Sequence, residues 1–110
     1  MTDVFHPGGL LARHLPGFTY RESQEEMAQI IRDALVRPKN LALEAGTGIG
    51  KTFGYLVPVL MSGRRAVIST GTLPLQDQLY HRDLPLLGSA IGRPVDVALL
   101  KGRANYLCWH

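Results

Sequence analysis

The sequence predicts an α/β fold, a parallel sheet flanked by helices, on three observations. Apolar residues recur at helical spacing over residues 27–35. Short apolar runs at 40–43, 66–69 and 95–100 alternate with helical stretches. A glycine-rich turn joins the first of these runs to a helix. The expected order is strand, helix, strand, helix, strand, with right-handed crossovers.

Each element has a local reason. Residues 1–19 read as a lead-in broken by Pro7-Gly8-Gly9 and Pro16-Gly17, with one short helical stretch over 10–14. Met27, Ile30, Ile31, Ala34 and Leu35 then fall on one helical face. Ser23 and Glu26 have capping-box spacing, which predicts a start near residue 23. Pro38 ends the helix, because proline disfavours helical geometry in the residue before it. The 40–43 run is the first strand and 46–50 the turn. Helical character over 51–61 contains Pro58, which predicts a kink or an early stop. Ser62-Gly63 breaks this helix, and 66–69 is the second buried strand. Leu75 and Leu79 lie one turn apart in a helix over 73–80, for which Thr72 is a candidate cap. A linker containing proline and glycine leads to the third strand at 95–100.

At 110 residues the chain is one small domain or a piece of a larger one. With 45% hydrophobic and 19% charged residues it can build a core. Twelve Lys and Arg against nine Asp and Glu give a net charge of +3, which suits a nucleic-acid partner without demanding one. A single cysteine excludes a disulfide framework and any complete cysteine metal site within the chain. No run approaches the ~18 apolar residues of a membrane span. No basic segment followed by an apolar one marks a secretory signal, so no membrane association is expected and the cytoplasm is the expected compartment.

The strongest chemical signal is Ala45-Gly46-Thr47-Gly48-Ile49-Gly50-Lys51-Thr52, a phosphate-loop pattern with Ala45 in the slot where glycine is usual. A triphosphate needs many donors at short range and little side-chain bulk. Glycines let the backbone N–H groups turn inward, and the following helix presents its N-terminus to the anion. Lys51 supplies a mobile positive charge to the β- and γ-phosphates of ATP, and the Thr52 hydroxyl suits Mg²⁺. These two are the candidate catalytic residues. The bland alternative is a glycine-rich turn between a strand and a helix.

Four blocks in order carry a resemblance: 18–24 (Phe-Thr-Tyr-Arg-Glu-Ser-Gln), 44–52, 69–79 (Ser-Thr-Gly-Thr-Leu-Pro-Leu-Gln-Asp-Gln-Leu) and 101–108 (Lys-Gly-Arg-Ala-Asn-Tyr-Leu-Cys). From about Leu10 to its end the chain resembles the beginning of the XPD/DinG-like iron–sulfur DNA helicases of superfamily 2, the bacterial YoaA-type members in particular. The resemblance implies that residues 20–100 are the first part of a RecA-like ATP-binding domain. It implies that 101–110 opens an iron–sulfur module.

Within it, Phe18 would pack on adenine, and Arg21 and Gln24 would hold its edge or neighbouring phosphates. Ser23 stands where relatives often have proline. Thr70, Gly71 and Thr72 match motif Ia, which grips the phosphates of single-stranded DNA; a plain helix cap is the alternative. Lys101 and Arg103 would lie near the DNA path, or be an ordinary solvated pair. Cys108 would be the first of four cysteines on a [4Fe–4S] cluster, or a bystander.

The function so implied is ATP-driven 5′-to-3′ movement along single-stranded DNA and unwinding of forked duplex DNA, in repair or replication, by a monomer. No apolar run ends in the Asp-Glu pair that ATP hydrolysis in this class requires. Asp96 opens a predicted strand, and Asp77 and Asp83 lie in or after a helix. A second motor domain is also wanting, so an inactive N-terminal fragment is expected. The alternatives are a non-catalytic nucleotide- or DNA-binding module and a truncated remnant. A small P-loop kinase lacks its acceptor site and lid arginines here.

Overall fold

Glu22 and Glu25 place negative charge in the first turn of the longest helix, where the backbone N–H groups have no partner. That helix, α3, spans Glu22–Val36 in a computed structural model that describes residues 2–46 and 50–102. Two short helices precede it, α1 (Thr2–Phe5) and α2 (Leu10–His14). Then follow α4 (Lys51–Ser62), α5 (Leu73–Gln78), a π-helical turn over Leu79–Asp83, and α6 (Leu84–Ile91).

The expected capping box of α3 does not form. Arg21 is the N-cap, in extended backbone with no side-chain cap bond, so charge replaces the Ser23 hydroxyl. The helix ends at Val36, ahead of Pro38 as expected. Helices α3 and α4 form the most extensive helix pair. Gly54 allows this approach, since a Cβ there would stand 2.9 Å from the Met27 sulfur. Pro58 does not stop α4, which runs on to Ser62 with Leu56, Val57 and Pro58 buried. Packing outweighs the lost backbone bond, a cost of about 3 kcal/mol. Gly63, at φ +68°, closes the helix in the left-handed conformation.

Helix α6 stands where a linker was expected. Pro85 sits in its first turn, where the missing N–H costs nothing, and Leu84, Leu87 and Ala90 face inward. The N-terminal segment is also more than a lead-in. Phe5 and Leu11 are fully buried, with α2 packed on α6 and α1 on α3. We expect Leu11→Ala to lower stability by about 2–5 kcal/mol, a large part of what a domain this size possesses, read as a fall in the urea midpoint. An unchanged midpoint would mean that the N-terminal helices do not belong to the cooperative core.

The predicted sheet is absent. Among the described residues no backbone ladder joins 40–43, 66–69 and 95–100, and the architecture is helical. This corrects the α/β, RecA-like parallel sheet read from the sequence. An apolar run marks a segment that avoids water, but it becomes a strand only where a neighbour offers N–H and C=O groups in register. Here 66–68 and 97–100 border one groove with Leu56 and Leu79, and α5 holds the second of them by side chains. Gln76 Nε2 donates to the Leu100 carbonyl at 2.9 Å, and Lys101 pairs with Asp77 at 3.4 Å. Val67 remains 97% exposed and Leu100 81%. No helix among the described residues is long and apolar enough to cross a membrane.

Candidate nucleotide-binding cleft

A cleft of about 470 Å³ opens between the start of α3, the start of α4 and the π-turn. The Pro16-Gly17 turn, with Gly17 at φ +78°, delivers Phe18 to its rim. Phe18, Arg21, Gln24, Gly50 and Thr52 all line it, so five of the residues expected at a nucleotide converge there from two distant stretches of chain.

Gln24 ties those stretches together. It is 1% exposed, and its Nε2 donates to the Gly50 carbonyl at 3.0 Å. Its Oε1 is buried and has no partner among the described residues. An unsatisfied buried acceptor of this kind costs about 1–3 kcal/mol until a donor reaches it. Gly50 precedes α4 at φ +76° and ψ +50°, a conformation that glycine adopts freely. The Gln24 amide occupies the space that a Cβ on Gly50 would fill, with the Arg21 guanidinium 3.3 Å from the same point. The cradle therefore requires glycine twice over, for its backbone angle and for its missing side chain.

The remaining expected residues are placed less closely. Lys51 is the first residue of α4 and is exposed, outside the lining of this cleft. Ala45 is half-buried and Gly46 exposed, and neither lines the cleft. Thr47, Gly48 and Ile49 lie outside the described residues. The Thr52 side chain lies close enough to the Tyr55 phenol to act on its titration. Burial pushes the Tyr55 phenol above its ordinary value; Thr52 opposes this and the Asp83 carboxylate adds to it. Gln78, Arg82 and Asp83 also line the cleft, and sequence reasoning assigned them no part in it.

The residues expected at DNA gather around α5. Thr70 is half-buried, and its hydroxyl donates to the Thr72 carbonyl at 3.2 Å. Gly71 and Thr72 are exposed. The Leu75 N–H donates to the Thr72 hydroxyl at 3.3 Å, so Thr72 is an N-cap. Thr72→Ala should cost about 1 kcal/mol while Thr72→Ser retains most of it, measured by denaturant unfolding. Equal loss in both variants would sink the capping role. Lys101 reaches the same helix through Asp77. Arg103 and Cys108 lie outside the described residues. Among the described residues no group of three His, Cys, Asp or Glu side chains could hold a metal ion.

No family model matches the chain, and no solved structure matches it. Curated relatives do. The chain is 52% identical over 108 residues to the ATP-dependent DNA helicase YoaA of Escherichia coli, covering 98% of this chain and 17% of that protein. It is 47% identical over 108 residues to the protein of the same name from Haemophilus influenzae, with the same coverage of both chains. It is 44% identical over 100 residues to the ATP-dependent helicase DinG of Mycobacterium tuberculosis, covering 84% of this chain and 15% of that one. The chain thus spans about one sixth of the length of these relatives.

Proposed function

We propose, from the premise that this chain belongs with the YoaA- and DinG-like helicases, that it is the nucleotide-binding portion of an ATP-dependent DNA helicase. The observation that carries the reading is the convergence of Phe18, Arg21, Gln24, Gly50 and Thr52 on one cleft. Phe18 offers a face to adenine. Gln24 offers a buried amide whose Oε1 awaits a donor, as the adenine amino group would supply. The phosphate-loop pattern assigns the phosphates to the segment that ends at Gly50 and Lys51, with Lys51 as the neutralising charge. The Thr52 hydroxyl would hold Mg²⁺, which would supply charge neutralisation at the phosphates. Among the described residues no acidic pair answers the Asp-Glu requirement for orienting water, so hydrolysis in this reading draws on carboxylates that these residues do not supply.

Residues 20–100 carry the nucleotide and DNA contacts in this reading, and 101–110 begin a cluster-binding module. Helix α5 is the link between the two ligands. Thr72 caps it at the end proposed for DNA, and Gln78 closes it at the nucleotide cleft. The partners are single-stranded and forked duplex DNA, met by a monomer in the cytoplasm, with 5′-to-3′ movement. A [4Fe–4S] cluster needs four thiolates, and this chain has only Cys108 to give. The residues present therefore do not make up that site, and no step runs through it.

The test is the ATPase rate of the intact protein with and without single-stranded DNA. A DNA-stimulated, Lys51-dependent rate supports the motor. Nucleotide binding without turnover, in the intact protein, would instead support a non-catalytic binding module.

A further inference from the structure

We propose that the π-helical turn forms the second wall of the nucleotide cleft, with Arg82 as an added cationic contact to the phosphates and Asp83 as the residue that positions it. The inference rests on the reading of the cleft as an ATP site and deepens it. In an α-helix, residues five apart point away from one another. The i→i+5 closure over Leu79–Asp83 turns them together, and such turns occur frequently at functional sites. Here the closure brings Gln78 and Asp83 onto one face, where Gln78 Nε2 donates to Asp83 Oδ2 at 3.3 Å. It also leaves Leu79 and Asp83 both buried.

A carboxylate that is 1% exposed is costly unless it is bonded and paired. Asp83 is both, since Arg82 Nε donates to its Oδ1 at 3.2 Å. The Arg82 side chain is otherwise 69% exposed and borders the cleft that holds Gly50 and Thr52. Its Nε is thus committed to Asp83, while its two Nη groups have no other partner among the described residues. A guanidinium anchored at its Nε, on a side chain that lines a cleft, keeps its Nη donors for an anion. The anion at this cleft is a nucleoside triphosphate, and its charge lies on the phosphates.

The test compares binding of ATP and of adenosine to the intact protein, for wild type, Arg82→Ala, Arg82→Lys, Asp83→Asn and Lys51→Ala. Arg82→Ala should weaken ATP about tenfold and leave adenosine unchanged, because adenosine carries no phosphate for the guanidinium to meet. Arg82→Lys should recover part of the loss. Asp83→Asn should weaken ATP in the same direction but less. Arg82→Ala also unpairs the buried Asp83 carboxylate, so its urea midpoint is read alongside, and Arg82→Lys, which keeps the charge, carries the comparison if the alanine variant does not fold. Unchanged ATP affinity in Arg82→Ala, with ATP lost in Lys51→Ala, would overturn this inference and leave the cleft reading standing. An equal fall for adenosine would also overturn it, by assigning Arg82 to the base. Unchanged ATP affinity in Lys51→Ala would instead overturn the phosphate-loop reading beneath it.

Discussion

Gly50→Ala is expected to destabilise the protein by about 2–5 kcal/mol and to empty the nucleotide cleft. Two independent costs add. Holding a non-glycine residue in the left-handed region costs about 1–2 kcal/mol, and Gly50 sits at φ +76°. The new Cβ would also fall on the Gln24 amide. To move away, Gln24 must give up its bond to the Gly50 carbonyl, in a place where it is 1% exposed. Leaving that buried amide unsatisfied costs a further 1–3 kcal/mol or about that. Relief should come from the partner side. In a Gln24→Ala background the overlap disappears, so the second substitution should cost less than it does alone. A double-mutant cycle in urea reads this coupling directly. Strict additivity would show that the Gln24–Gly50 contact does not limit what position 50 accepts.

Lys51→Ala should have the opposite profile, with function lost and fold retained. Lys51 is exposed at the first position of α4, so its removal takes little packing with it. Stability should change by less than about 0.5 kcal/mol, as for ordinary surface positions. ATP turnover in the intact protein should fall on the order of a hundredfold or more, because a cation placed where phosphate charge develops is lost. Wild-type turnover in the variant would remove Lys51 from the phosphates. A collapse of the fold would show that the side chain has a structural task at the head of α4. The two substitutions are neighbours in sequence, and only one of them should move the urea midpoint.

Helices α2, α3 and α4 were legible because their signals are local. Apolar residues three and four apart, a proline after Val36 and Gly63 past the end of α4 each act within about one turn. Helix α6 was not legible. Pro85, Gly88 and the C-cap Gly92 imitate a linker, and only the burial of Leu84, Leu87 and Ala90, with α6 packed on α2, distinguishes it. Pro58 did not stop α4 early, since a buried face held the helix together across it. The capping box of α3 failed because spacing shows that a bond is geometrically available and does not show that it wins over solvent.

The candidate site divides along the same line. The phosphate-loop pattern, Phe18, Arg21 and Gln24 were readable because each sits in a short block whose residue types suit one ligand. The π-turn wall was not, because Gln78, Arg82 and Asp83 form no pattern until an i→i+5 closure turns them onto one side. Asp83 was weighed only for a place in an Asp-Glu pair, and the structure buries it against Gln78 and Arg82 instead.

By itself the sequence determined that α2, α3 and α4 form, where glycine closes or precedes a helix, and which residue types suit a triphosphate. Those choices are made over a few residues, by backbone sterics, helical spacing and the charge of single side chains. Only the tertiary structure decided that the apolar runs stay unpaired, that the N-terminal helices belong to the core, and that Gln24 and Gly50, 26 positions apart, meet at one bond. Pairing and burial depend on partners remote along the chain, and no local pattern carries the position of a distant partner.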